Sequence, residues 1–253
     1  MSKTVLITGA SGGIGSACVR LFAAEGYKVS IHYNTDKAAA DKLKDELHGI
    51  GCEAVSVWAD LRDEAAVNGM FAEIEAQLGE VDVLVNNAGL AVGLNPVQDG
   101  VVDDWERRID TNVKGLRYVT RGVANYMKGR CSGHIVNLCS IAGKESYANG
   151  NVYCATKHAV DALTKGMRID LLPYNIRVSQ ICPGAVETEF SVVRFKGDQE
   201  RADNVYKGFT PLTAMDVADA IMYMVKCPPH VNINDMVIMP TAQANSYTFH
   251  KKL

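Results

Sequence analysis

Tyr153 and Lys157 stand four residues apart in the stretch Tyr153-Cys154-Ala155-Thr156-Lys157. On a helix this spacing puts both side chains on one face, about a turn apart, so that an ammonium lies beside a phenol. A cation at about 4 Å, in an effective dielectric of about 20, favours the phenolate by about 4 kcal/mol. That is a lowering of roughly three units from an ordinary pKa of about 10, which turns a tyrosine into a general acid and base near neutrality. Taken alone, the pair is equally what a half-buried tyrosine and a solvated lysine would show. Its meaning rests on the elements that surround it.

Thr4 to Thr8 is a short, continuous apolar run, the pattern of a strand buried on both faces. It leads directly into Gly9-Ala10-Ser11-Gly12-Gly13-Ile14-Gly15, after which Ile14, Cys18, Leu21, Phe22 and Ala24 recur at helical spacing until Gly26. A glycine run by itself reads as a flexible turn. Between a strand and a helix N-terminus it builds an anion site, because backbone can approach a pyrophosphate closely while free N–H groups and the helix dipole favour negative charge.

The second predicted strand, Tyr27–His32, exits as His32-Tyr33-Asn34-Thr35, with no carboxylate before Asp36. In dinucleotide-binding folds an acidic residue at this strand end holds the ribose 2′-hydroxyl of NAD, and its absence leaves room for a 2′-phosphate. NADP is therefore favoured over NAD. No arginine stands in the glycine turn or at the strand end, so Asn34, Thr35 and Lys37 would have to contact the phosphate. Lys37 reads equally well as a solvated helix residue.

Short strands and helices keep alternating. Helices are predicted at Asp36–Leu47, Asp63–Leu78, Val102–Met127, Val152–Leu171 and Ala214–Lys226. Strands are predicted at Glu53–Trp58, Val81–Val85, His134–Cys139, Ile176–Ile181 and Met236–Met239. With no linker or composition shift, seven strands of this kind predict an α/β chain forming one domain over residues 1–253, a doubly wound parallel sheet with helices on both faces. Ligands of such sheets bind beyond the carboxyl ends of the strands. The residues there are the glycine turn, Asp60-Leu61, Asn86-Asn87-Ala88-Gly89, Ser140 and Pro183-Gly184.

Composition narrows the function classes. A chain of 253 residues with 47% hydrophobic and 22% charged residues and a net charge of -3 is that of an ordinary globular protein, without the basic footprint of a nucleic-acid binder. No apolar stretch is long enough to span a bilayer and the N-terminus enters a strand directly, so no membrane partner and a cytoplasmic location are expected. Seven cysteines, none in Cys-x-x-Cys spacing, suggest neither a disulfide framework nor a metal site. The tail Lys251-Lys252-Leu253 matches a peroxisomal address only in its last two residues.

These motifs resemble the short-chain dehydrogenase/reductase family over nearly the whole chain. Its glycine motif stands here as Thr8, Gly9, Gly13 and Gly15, and its Asn-Asn-Ala-Gly as Asn86 to Gly89. Its catalytic Asn, Ser, Tyr and Lys stand as Asn112, Ser140, Tyr153 and Lys157, and its Pro-Gly as Pro183-Gly184 with Thr188 following. The resemblance implies a Rossmann domain and hydride transfer with a nicotinamide. Tyr153 would be the proton donor and Ser140 its partner on the reacting oxygen. Lys157 would lie on the nicotinamide ribose, and Asn112 would hold a water that connects Lys157 to solvent. Ser140 as a plain turn residue and Asn112 as a helix-interior polar group are the alternatives. Cofactor contacts are implied for Gly9, Ser11, Gly13, Ile14 and Gly15; for Tyr33, Asn34, Thr35, Asp60 and Leu61; for Asn87, Ala88 and Gly89; and for Pro183, Gly184, Val186 and Thr188, besides Tyr153 and Lys157.

Segments such as Asn87–Gly93, Gly150–Tyr153, Val193–Asp198 and Pro229–Asn234 are similar to a narrower branch, the NADP-dependent 3-hydroxy acid dehydrogenases or serine 3-dehydrogenases. Members of that branch act on small 3-hydroxy acids and are typically homotetramers. A carboxylate substrate needs a counter-charge. Arg194, in the apolar stretch after Thr188 that would form a substrate lid over about 186–212, is the first candidate, with Lys144 and Asn151 beside the cleft as further ones. Arg194 would otherwise pair with Asp198 or Glu200. Two other functions use the same scaffold: a 3-oxoacyl-carrier-protein or general carbonyl reductase, and a non-catalytic NADP-binding scaffold, which would normally lack the Tyr or the Lys.

Overall fold

The opening strand is buried on both sides, as its unbroken apolar run requires. In the computed structural model, which describes residues 2–252, β1 (Thr4–Ile7) has every residue buried. Leu253, the end of the Lys-Lys-Leu tail, lies outside the described residues. Alternation along β1 sends Val5 and Ile7 to one face of the sheet and Leu6 to the other, where each joins a separate apolar core.

Six more strands complete the sheet: β2 (Lys28–Tyr33), β3 (Ala54–Trp58), β4 (Val81–Asn86), β5 (Gly133–Leu138), β6 (Ile176–Pro183) and β7 (Asp235–Ile238). Their order is β3-β2-β1-β4-β5-β6-β7, and every neighbouring pair is parallel. The chain winds outward from β1 in one direction and from β4 in the other, which leaves a crevice beyond the β1 and β4 ends.

One face carries α1 (Gly13–Ala24), α2 (Lys37–Gly49) and α9 (Ala214–Lys226), through Phe22, Leu47 and Ile221 among others. The other carries α3 (Glu64–Leu78) and α5 (Leu116–Arg130), through Met70, Phe71, Ile74, Val119 and Met127. Each such side chain, fully removed from water, contributes about 1.5–3 kcal/mol. Helix starts follow sequence cues. Asp36 and Asp63 cap α2 and α3 by accepting from Ala39 N–H and Ala65 N–H, and Thr213 with Asp216 forms a capping box on α9.

One helix departs from its apolar spacing. The span predicted as a single helix, Val102–Met127, is α4 (Val102–Ile109), then a π-helical turn (Asp110–Gly115), then α5. The turn contains Asn112, whose side chain is bonded to a neighbouring loop and draws the backbone inward. After β6 come two short helices that no periodicity announces, α7 (Phe190–Arg194), whose Phe190 and Val193 line the crevice, and α8 (Gln199–Tyr206). The long helix α6 (Asn151–Leu171) runs from the crevice along the sheet. Among the described residues no helix is long and apolar enough to cross a membrane, and no group of three or more His, Cys, Asp or Glu side chains could hold a metal. All seven cysteines are free.

Candidate active site

The crevice floor is the glycine turn. Gly9 adopts a left-handed φ of 60°, and a Cβ there would lie 2.9 Å from Ala88 Cα. Helix α1 starts at Gly13 with no side chain capping its first turn and no acidic residue in it, so its N–H groups and dipole face the cavity unopposed. The turn has a support that its own sequence does not announce. Buried His32 accepts from Gly9 N–H at Nδ1 (3.0 Å), and its Nε2–H donates to Ala59 O (3.0 Å). The bond accepted at Nδ1 requires the neutral ring, whereas the Nε2–H bond is open to either form, and burial pushes the pKa from 6.5 down to about 4.

This makes the fold sensitive to acid. The unfolded chain takes up the His32 proton below about 6.5 and the folded chain only near 4. The stability that His32 contributes, at most on the order of 3 kcal/mol, is present above the first value and lost as pH falls toward the second. Melting temperature is expected to drop across that window, and more shallowly in His32→Asn.

Asn87 ties the ends of β1 and β4 together: its Nδ2 donates to Thr8 O (2.8 Å) and Gly9 O (2.9 Å), while Thr8 Oγ1 accepts from the N–H groups of Asn87 (3.0 Å) and Ala88 (2.9 Å). Beside them is Asn112. Its Oδ1 accepts from Leu90 N–H (2.8 Å), and its Nδ2 donates to Leu90 O (2.9 Å) and Thr156 Oγ1 (3.1 Å). The side chain is fully engaged in positioning the Leu90 loop against α6.

Ser140 leaves the end of β5 and caps a short 3-10 turn by accepting from Ala142 N–H (3.1 Å). Its hydroxyl donates to Pro183 O (3.4 Å), and it lines the same cavity as Tyr153, on the first turns of α6. Lys157, one turn further, is buried, donates to Leu138 O (2.8 Å), and has its Nζ 5.9 Å from the Tyr153 ring centroid. The four residues of the resemblance therefore converge.

Their electrostatics differ from the sequence expectation. Burial raises the Tyr153 pKa, opposed first by the positive charge of Arg194 and then by the Ser140 hydroxyl. Burial lowers that of Lys157. Lys157 and Arg194 both stand by the ring, at 5.9 and 5.1 Å from its centroid, but burial outweighs them, so the Tyr153 pKa lies above its ordinary value and not below it as the spacing predicts.

Arg194 lies with its guanidinium carbon 5.1 Å from the Tyr153 ring centroid and 5.3 Å from that of Phe190. Its Nη2 donates to the hydroxyl of Tyr147 (3.1 Å), and its backbone O accepts from Gly93 N–H (3.0 Å). Of its two expected partners, Asp198 instead caps α8 through Arg201 N–H. Lys196 next to it pairs with Asp104 (2.8 Å) and fastens the segment to α4. Tyr147, which no sequence motif singles out, is half-buried, and desolvation pushes its pKa up to about 12.

A cavity of about 280 Å³ opens above this set. Gly9, Gly13, Ile14, Asn87, Ala88 and Gly89 line one side, and Ser140, Tyr153, Lys157, Pro183, Gly184, Val186 and Thr188 the other. A second cavity, beyond the β2 and β3 ends, is lined by Ser11, Asn34, Thr35, Asp60 and Leu61 together with Arg62. Four residues stand apart. Gly15 lies beneath the turn rather than at its surface, and the Tyr33 side chain packs into the core. Lys144 pairs with Asp161 (2.5 Å) and Asp235, and Asn151 donates to Asn95 O (3.0 Å) at the start of α6. Neither side chain lines the cavity, their polar groups being engaged by these partners; Arg194 is not in the lining either, where its helix is represented by Phe190 and Val193.

Comparison with known proteins agrees with this geometry. The model of the short chain dehydrogenase family matches residues 3–199. The NADP-dependent 3-hydroxy acid dehydrogenase YdfG of Salmonella typhimurium is 46% identical over 95% of this chain and 96% of its own. The serine 3-dehydrogenase of Agrobacterium fabrum is 39% identical over 96% of each. Among solved structures, the closed form of a serine dehydrogenase complexed with NADP+ superimposes with a TM-score of 0.92 at 42% identity, over 98% of this chain and all of that one. A serine dehydrogenase from Escherichia coli gives 0.81 at 39% identity, over 95% of this chain and 99% of that one. This chain belongs to the short-chain dehydrogenase family.

Proposed function

We propose that the chain is an NADP-dependent oxidoreductase that interconverts the C3 hydroxyl and carbonyl of a small 3-hydroxy acid such as serine. The observation that carries the reading is Arg194: a lid guanidinium with no carboxylate partner among the described residues, held over the ring of Tyr153. The carboxylate of the substrate would complete it, leaving the C3 hydroxyl, two carbons along, to reach the phenol. The names of the relatives support both cofactor and substrate class.

The residues fit the cofactor. The uncapped start of α1 suits a pyrophosphate, and Gly89 leaves space bounded by Asn112 Oδ1 and Lys157 Nζ for the nicotinamide ribose. Bound nicotinamide supplies or accepts the hydride. In reduction Tyr153 gives its proton to the carbonyl oxygen, and Ser140 hydrogen-bonds the same oxygen as charge develops on it. Lys157 contributes a buried positive charge beside the ribose, and Asn112 holds the loop and helix around it. The segment 186–212 is the substrate lid in this reading, and it brings Arg194 to the site as it closes. A homotetramer is part of the reading as well, supported by the exposed apolar residues Val102, Ile109 and Ile169 on α4 and α6.

Incubation with NADP+ and serine, 3-hydroxypropionate, 3-hydroxybutyrate or a long-chain alcohol, followed by absorbance of the reduced nicotinamide, tests the function. Turnover of the acids but not of the alcohol is expected; equal turnover of the alcohol, or none of any, overturns it. Arg194→Leu is expected to raise KM for serine by about 10–100-fold, the worth of a charge-assisted hydrogen-bond pair, with a smaller change in kcat.

A further inference from the structure

An NADP site needs a cation for the ribose 2′-phosphate, and the β2 end does not offer one. Asn34 and Thr35 are uncharged there, and Lys37, the cation that follows, is engaged by Asp41 on its own helix and does not line the cavity. The cavity beyond β2 and β3 nevertheless has a cationic wall. Arg62, two residues past Asp60, lines it together with Ser11, Asn34 and Thr35.

The geometry of Arg62 is that of a shared fork. Nε donates to both oxygens of Asp60 (2.9 and 3.1 Å) and Nη2 donates to Oδ2 (2.6 Å), while the Arg62 backbone N–H donates to Oδ1 (3.0 Å). Nη1 has no protein partner among the described residues, and the side chain is 45% exposed. Asp60 is thereby neutralised within a cavity that must accept an anion, and one guanidinium edge stays free for a phosphate oxygen. Asn34, in the same lining, is held as well, since Trp58 Nε1 donates to Asn34 O (2.9 Å).

We infer that Arg62 is the residue that selects NADP over NAD, clamping the 2′-phosphate from the β3 end while the Ser11 hydroxyl and the Asn34 and Thr35 groups donate from the rest of the lining. The inference rests on the reading of the chain as an NADP enzyme.

Calorimetric titration of the whole protein with NADP+ and with NAD+ tests it without reference to turnover. Wild type is expected to bind NADP+ more tightly, and a wild type that prefers NAD+ overturns the cofactor reading itself. Given that preference, Arg62→Gln should weaken NADP+ at least tenfold and NAD+ less than about twofold, while Arg62→Lys keeps part of the preference and Lys37→Gln all of it. Equal weakening of both cofactors, which would mean contact with the adenine, overturns the assignment to Arg62, as does a preference that survives Arg62→Gln. If Arg62→Gln fails to fold, Arg62→Lys and Lys37→Gln decide: a preference reduced only in Arg62→Lys supports the assignment, and a loss of preference confined to Lys37→Gln overturns it.

Discussion

Tyr153→Phe should lower turnover by about 10²–10⁴-fold, the range for loss of a positioned general acid and base, while cofactor affinity and melting temperature stay near wild type. The ring remains to pack against Phe190, 5.8 Å away, and only the hydroxyl is lost. The pH profile gives a second readout. Reduction needs the protonated phenol, so its rate falls as pH rises through the Tyr153 pKa, and burial sets that point above the ordinary value. Oxidation needs the phenolate and falls as pH drops through the same pKa. In the phenylalanine variant the residual rate should lose this inflection in both directions. A variant that retains most of its turnover, or keeps the inflection, places the proton transfer on another group.

The second large effect is expected at Gly15→Ala. A Cβ there would lie 2.4 Å from Gly9 O, 2.7 Å from Asn87 Nδ2 and 2.8 Å from Ala10 Cα. Two of these neighbours are backbone and the third is the amide that ties β1 to β4, so none can yield cheaply. Overpacking of this kind costs about 1–3 kcal/mol, or a melting point lower by roughly 2–12 °C for a chain of this size. Relief of the clash must displace the turn itself, so NADP+ affinity should drop by at least about tenfold. Gly12→Ala is the control, because a Cβ at Gly12 has nothing within 4 Å and should leave the melting point almost unchanged. Calorimetric binding and thermal melts of the two variants separate the outcomes.

The parts of the molecule written in local pattern are legible in the sequence. The seven strands and the main helices follow from periodicity, and the grouping of Asn112, Ser140, Tyr153 and Lys157 is what the resemblance of the spaced motifs to the family implies. What escapes depends on partners distant in sequence. His32 looks like one more strand residue until Gly9 and Ala59 fall on its two nitrogens. Tyr147 gains meaning only when the fold brings Arg194 to its hydroxyl. Lys144 looks free for substrate because Asp235, far along the chain, is brought to it only by the pairing of β6 with β7. The acidity of Tyr153 is overstated by spacing for a related reason: spacing reports a neighbouring charge but not the depth at which both groups are buried.

The π-helical turn at Asp110–Gly115 also fixes angular phase. Each residue of a regular helix advances by about 100°, and a π turn takes up roughly one residue more than an α turn over the same rise. α4 turns Asp104 and Arg108 toward Lys196 and the Val92–Gly93 loop, while α5, on nearly the same axis, turns Val119, Val123 and Met127 into the core beneath the sheet. An uninterrupted helix of this sequence would rotate one of these faces away from its target by about a quarter turn. The extra residue therefore works as a phase shifter, letting one stretch of helix hold Lys196 and the Val92–Gly93 loop at one end and meet the core at the other.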